Sequence, residues 1–206
     1  MMRSLLLPFV ALALWAPHAL ALLYTISNNC GQPINLYING VNEGSLGING
    51  VTTRQFANNW SGFIYTDANG GDGATGARIT RAGFYGESNY YYIVIDTTRL
   101  NTGVRIEPQV PINNGFCAPD MCDNGACNSV YQFPPTDFSP PTSTPPSPPL
   151  FACPGNNVGY KVTFCPSGGF PPALDDNPVA IHPNGNTAKC LDVRGNVLAN
   201  GTPVQM

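Results

Sequence analysis

Apolar side chains recur at every second position in short runs along this chain, and no window sustains the 3.6-residue period of an amphipathic helix. The run "LLYTISN" (22–28) places Leu22, Tyr24 and Ile26 on one side of an extended segment and Leu23, Thr25 and Ser27 on the other. After a Gly-Gln-Pro turn, "INLYING" (34–40) sets Ile34, Leu36 and Ile38 on one face, and these two runs are expected to be adjacent strands. Further strands are expected at "VTTRQF", "GFIYT", "ARITRAGFY", "YYYIVI", "GVRIEP" and "YKVTF", separated by Gly, Asn and Pro clusters at sandwich-like intervals. The predicted class is all-β, a β-sandwich without a helix longer than about two turns.

Three stretches break this pattern. Residues 1–21, "MMRSLLLPFVALALWAPHALA", have one basic residue, an apolar run and a small-x-small ending, as a secretory signal peptide cut after Ala21 does. Pro8, Pro17 and His18 interrupt it too often for a membrane span, so a secreted, extracellular chain with no membrane partner is expected. Between Pro134 and Pro149 there are eight prolines in sixteen residues, which removes backbone donors and excludes a central strand. This segment is predicted to be a stiff surface loop, in preference to a ligand for proline-binding modules. Residues 167–178 fall within a second Gly- and Pro-rich break and read as a linker, with residues 179–206 a separate unit.

Charge and cysteine content narrow the function classes. The formal net charge is −3, and losing Arg3 with the leader leaves eight Lys+Arg against twelve Asp+Glu, or −4, so no basic surface is expected for nucleic acid. Of the seven cysteines, Cys30, Cys117, Cys122, Cys127, Cys153 and Cys165 precede the linker and Cys190 lies alone beyond it. The run "CAPDMCDNGAC" lacks C-x-x-C pairs, and export favours oxidation, so the even set is read as disulfides in preference to a zinc site. Cys190 is left unpaired, which implies a monomer able to form some Cys190-linked dimer.

At the residue level, "ACPGNNVGYKVTFCP" resembles the closing segment of thaumatin-like proteins, "YTISNNCGQPINLYI" is similar to their first strand, and "YYYIVIDTTRLNTGVRIEP" is similar to a later strand and turn. The resemblance covers residues 22–166 in a compact form with six cysteines, fewer than plant members commonly carry. It implies a disulfide-stapled sandwich with the pairs Cys30–Cys165, Cys117–Cys153 and Cys122–Cys127. It also implies an acidic cleft, and binding or cleavage of cell-wall β-1,3-glucan in defence, antifungal action or wall remodelling. Asp96 in "VID" matches one cleft aspartate. The family's glutamate falls near Gly83, however, and another of its aspartates falls on Tyr91. The tail "PVAIHPNGNTAKCLDVRGNVLANGTPVQM" resembles the start of a ricin-B-type β-trefoil lectin, with Asp192 at a sugar-contacting position. The second cysteine, the Gln-x-Trp and the remaining lobes of such a lectin do not follow in this chain. The tail is therefore expected to be extended or to hold one loose hairpin.

Candidate chemistry is sparse. The sole histidine beyond the leader is His182, so neither a Ser-His-Asp triad nor a His-rich metal site can be built. "GGDGATG" contains a G-x-G-x-x-G spacing without a following helix and reads as a turn. Asp67, Asn69 and Asp72 depart from a calcium loop, and neither metal nor cofactor is expected. Glycoside cleavage needs two carboxyl groups, roughly 5–5.5 Å apart for retention or 6.5–9.5 Å for inversion, one of them protonated. The candidates are Asp96, Glu87, Asp67 and Asp72, and loss of the family's glutamate favours binding over hydrolysis. For binding, Tyr91, Trp60 and Asp96 are the candidate sugar contacts of the sandwich, since aromatic faces stack on sugar rings, and Asp192 is the tail's, where the missing aromatic platform should leave galactose unbound. Asn59 and Asn200 begin glycosylation sequons.

Overall fold

The computed structural model describes residues 21–96, 99–110, 114–123, 127–155, 158–171, 192–193 and 204–205. The expectations for the leader, His182, Cys190 and Asn200 lie outside the described residues. Among the described residues eleven strands form two sheets: β1 (Ala21–Asn28), β2 (Ile34–Ile38), β3 (Val41–Leu46), β4 (Val51–Ala57), β5 (Ser61–Thr66), β6 (Arg81–Tyr85), β7 (Tyr90–Val94), β8 (Val104–Pro108), β9 (Asp120–Cys122), β10 (Phe151–Ala152) and β11 (Tyr160–Phe164). One sheet runs β4-β1-β11-β8-β9, the other β10-β7-β6-β5-β2-β3. Of these strand pairs, β1 and β11 are parallel and the others antiparallel. In the tail, β12 (Asp192–Val193) pairs antiparallel with β13 (Val204–Gln205).

The period-2 pattern sets which face of each strand turns inward. Leu22, Tyr24 and Ile26 of β1, Val162 and Phe164 of β11, and Val104 and Ile106 of β8 meet Leu36, Ile64, Phe84, Tyr91 and Ile93 of the other sheet in one core. Tyr24 lies edge-on to Phe56, Trp60 and Phe84. Such pairs add to the area they bury.

β1 and β2 are not neighbours, contrary to the sequence expectation. β1 lies between β4 and β11, while β2 lies between β5 and β3. The chain changes sheets at Asn28, whose buried amide Nδ2 donates to the carbonyls of Gln32 (2.9 Å), Leu46 (3.0 Å) and Gly47 (2.9 Å) and whose Oδ1 accepts from the Cys30 N–H (2.9 Å). These bonds satisfy a corner that would otherwise leave buried backbone groups unpaired. Strands β3, β9 and β10 were not expected. Only Leu46 of β3 is buried, and β9 and β10 are too short to show a period.

Three disulfides staple the described residues, Cys30–Cys165, Cys117–Cys153 and Cys122–Cys127, the pairs that the family resemblance implied. Bonds of this kind persist in oxidising compartments. The Pro-rich segment contains no strand between 133 and 150 and lies against the outer face of the six-stranded sheet. Phe138 stacks on Tyr85 with ring centroids 4.1 Å apart and reaches Tyr90 and Tyr92, while the Tyr90 hydroxyl donates to the Ser139 carbonyl at 2.9 Å. The loop is thus a lid over an aromatic surface.

Candidate functional site

Because successive side chains of a strand point to opposite faces, burying alternate residues of β2 turns the residues between them outward. Leu36 and Ile38 point inward and Asn35 and Tyr37 outward. Register then aligns Tyr37 with Tyr65 of β5, and Tyr65 with Arg81 of β6. The Tyr37 and Tyr65 rings are nearly parallel, 5.5 Å between centroids. One residue pair along the sheet, Phe63 carries the Arg81 guanidinium over its ring at 5.0 Å. Tyr37 and Phe63 remain half-buried, leaving ring surface in contact with solvent.

Asp67 follows β5 and closes this surface. Its carboxylate accepts from the Tyr37 hydroxyl at 3.0 Å and from Asn35 Nδ2 at 3.3 Å, and Asn42 Nδ2 donates to the Tyr37 oxygen at 3.3 Å. The hydrogen bond to Asp67 raises the Tyr37 phenol above its ordinary pKa, with burial and the Asp67 charge adding to it. Asp72 folds the next turn around itself, accepting from the Ala74 and Thr75 N–H groups (3.0 and 3.1 Å) and from the Thr75 hydroxyl at 2.6 Å. Those bonds, the hydroxyl's first, hold its carboxyl below the usual range. Asp96 leaves β7 at the same end of the sheet and accepts from the Arg78 N–H at 2.8 Å, tying the 67–80 loop to the end of that strand.

Asp67, Asp72 and Asp96 therefore share one end of the six-stranded sheet. Glu87 does not join them, which corrects the four-carboxylate grouping. The β6–β7 hairpin reverses at Gly86–Ser88, so Glu87 sits at the turn, where it accepts from the Tyr85 hydroxyl at 2.9 Å, a strand's length from the residues that follow Val94. Trp60 is at that far end too. It stacks on Phe56 at 4.0 Å and packs against the core, so it is corrected from sugar contact to core plug. Asn59 is exposed in the adjacent turn.

Tyr91 is corrected as well. Its ring is 0% exposed, faces Tyr160 in the core, and its hydroxyl donates to the Ala118 carbonyl, leaving no face for a sugar. Asp192 lies in β12, in register with Gln205 of β13. The glycine at 83 has a steric explanation, since a Cβ there would collide with the Tyr92 ring. Tyr92 occupies the space into which a glutamate at 83 would project.

Sequence reasoning passed over Asn35, Tyr37, Asn42 and Phe63, although the alternation in "INLYING" already placed Asn35 and Tyr37 opposite the apolar face. It also passed over Asp120, whose carboxyl burial pushes up to about 7. At 2% exposure Asp120 faces the core and is out of reach of a polymer. Among the described residues no group of His, Cys, Asp and Glu forms a metal site.

The solved structures similar to this chain include the following two. One is the thaumatin-like xylanase inhibitor TLXI, 13% identical over 69% of this chain and 99% of that one, with a TM-score of 0.46. The other is the protein elicitor MoHrip2 from Magnaporthe oryzae, 15% identical over 70% of this chain and 99% of that one, with a TM-score of 0.42. No family model matches the sequence, and no curated protein matches it.

Proposed function

We propose that this chain is a secreted carbohydrate-binding protein that holds cell-wall β-glucan without cleaving it. The reading rests on one juxtaposition: the half-buried Tyr37 ring is ringed by hydrogen-bonding Asp67, Asn35 and Asn42. An aromatic face beside carboxylate and amide groups offers stacking for a sugar ring together with donors and acceptors for its hydroxyls. Hydrolysis is disfavoured by the same geometry. Glu87 is a strand away from Asp96, position 83 is filled by Tyr92, and Asp120, a carboxyl with a raised pKa, is sealed in the core.

Retention on insoluble β-1,3-glucan, with reducing sugar measured in the supernatant, tests it. Retention without sugar release is expected, and Tyr37→Ala should weaken retention roughly tenfold, from loss of one stacking platform. Asp96→Asn should weaken it with little change in thermal stability, because an amide oxygen can still accept from the Arg78 N–H. Release of reducing sugar would replace binding by hydrolysis. Undiminished retention by a Tyr37→Ala, Asp67→Asn double variant would move the glucan to another surface.

A further inference from the structure

The opposite face of the sandwich carries a cleft of about 380 Å³ on the outer side of the five-stranded sheet. Its floor is a grid of side chains fixed by strand register, polar apart from Val51 on β4 opposite Ser27. Ser27 lies opposite Thr163 and Thr163 opposite Arg105, in one row across β1, β11 and β8. Two residues along, Lys161 lies opposite Glu107. Lys161 and Arg105 are therefore diagonal neighbours on adjacent strands, roughly 7–8 Å apart at their backbones. Asn29, Asn49 and Pro166 form the rim near the Cys30–Cys165 disulfide.

The charges do not cancel. Arg105 Nη2 holds Glu107 Oε1 at 2.7 Å, and among the described residues Lys161 makes no ion pair. Two cations thus face one carboxylate that is already engaged, on a chain whose formal net charge is −3. No aromatic ring lines the cleft, so it lacks the platform on which a neutral sugar stacks. It offers instead hydroxyl and amide groups that both donate and accept, beside an ammonium with free donors. The volume is that of a small-ligand pocket. Side chains held on three neighbouring strands also keep their spacing when a ligand arrives.

We infer that this cleft is a binding site for an acidic saccharide, with a uronate carboxylate seated between Lys161 and Arg105 and the sugar hydroxyls on Thr163, Ser27 and Asn49. The site is independent of the glucan reading, since it uses the other sheet and none of the same residues.

Titration of the intact chain with trigalacturonate, followed by calorimetry, tests the assignment. Binding is expected, weaker by roughly tenfold in Lys161→Gln, from loss of one charge-assisted hydrogen bond, and weakened by added salt. Lys161 is exposed, so the variant should fold as the parent does. Tyr37→Ala should bind trigalacturonate unchanged. The inference is overturned by no binding, equal binding of the fully methyl-esterified trisaccharide, equal affinity for acetate or inorganic phosphate alone, or an unaffected Lys161→Gln. Loss of trigalacturonate binding in Tyr37→Ala would also overturn it, by placing the acidic sugar on the glucan face.

Discussion

Asp120 is a carboxyl group sealed in the interior, 2% exposed. Both carboxylate oxygens are buried, and the backbone N–H groups of Met121 and Ile93 offset only part of the burial that pushes its pKa from 3.8 to about 7. The folded state therefore holds a proton that the unfolded chain releases near pH 4. Stability from this group is intact below about pH 4, falls as pH rises toward 7, and is lost above it, a change of ~4 kcal/mol as an upper figure. Asp120→Asn should flatten that decline, leaving the variant more stable than the parent at pH 8 relative to pH 4 in denaturant unfolding. An identical pH dependence in both proteins would show that Asp120 ionises freely. Position 83 carries a second prediction at this scale. Gly83→Glu should lower stability by about 1–3 kcal/mol through collision with Tyr92, and should not create glucanase activity. Thermal unfolding and a reducing-sugar assay check both parts.

Among the elements, the Pro-rich loop differs most from what its composition conveys. Proline content identifies 134–149 as a non-strand, and that holds; the sequence pattern says nothing of where such a loop rests. Phe138 decides it by stacking on Tyr85 and reaching Tyr90 and Tyr92. Phe138→Ala should therefore free the lid while sparing the sandwich. Cleavage within 133–150 by a broad-specificity protease should accelerate about tenfold or more, as ~1.5 kcal/mol or more of ring contact is lost. The global melting temperature should change little, since the loop ends stay clamped by Cys117–Cys153. The β6–β7 hairpin illustrates the complementary limit. Both strands were legible from "ARITRAGFY" and "YYYIVI", yet the turn at Gly86–Ser88 carries Glu87 to the far end of the sheet, and only pairing reveals that separation.

For the whole molecule, the three disulfides differ in how much of the unfolded chain each restrains. Sequence separations of 135, 36 and 5 residues for Cys30–Cys165, Cys117–Cys153 and Cys122–Cys127 give about 5, 4 and 2 kcal/mol respectively in the chain-entropy treatment. Replacing each pair by alanines in turn should lower unfolding free energy in that order. A larger loss for Cys122–Cys127 than for Cys30–Cys165 would mean that folded-state contacts around β9, in place of chain entropy, govern its worth.

What the sequence determines by itself is local and periodic. Alternation in "LLYTISN", "INLYING" and "YKVTF" specifies strands and their inward faces, because a pleated strand exposes every second side chain to the same surroundings. Proline and glycine mark where ladders stop, since one lacks a donor and the other loses the most entropy. Tertiary structure alone decides which strands are neighbours and which side chains meet. Asn28 sends β1 and β2 into different sheets through bonds to carbonyls as far along the chain as Gly47. Register brings Tyr37 to Asp67 and Lys161 to Glu107 across intervals with no sequence signature, and burial turns Tyr91 from a candidate sugar platform into core. Those outcomes depend on long-range pairing and desolvation, which are properties of the assembled sheets and are absent from any single segment.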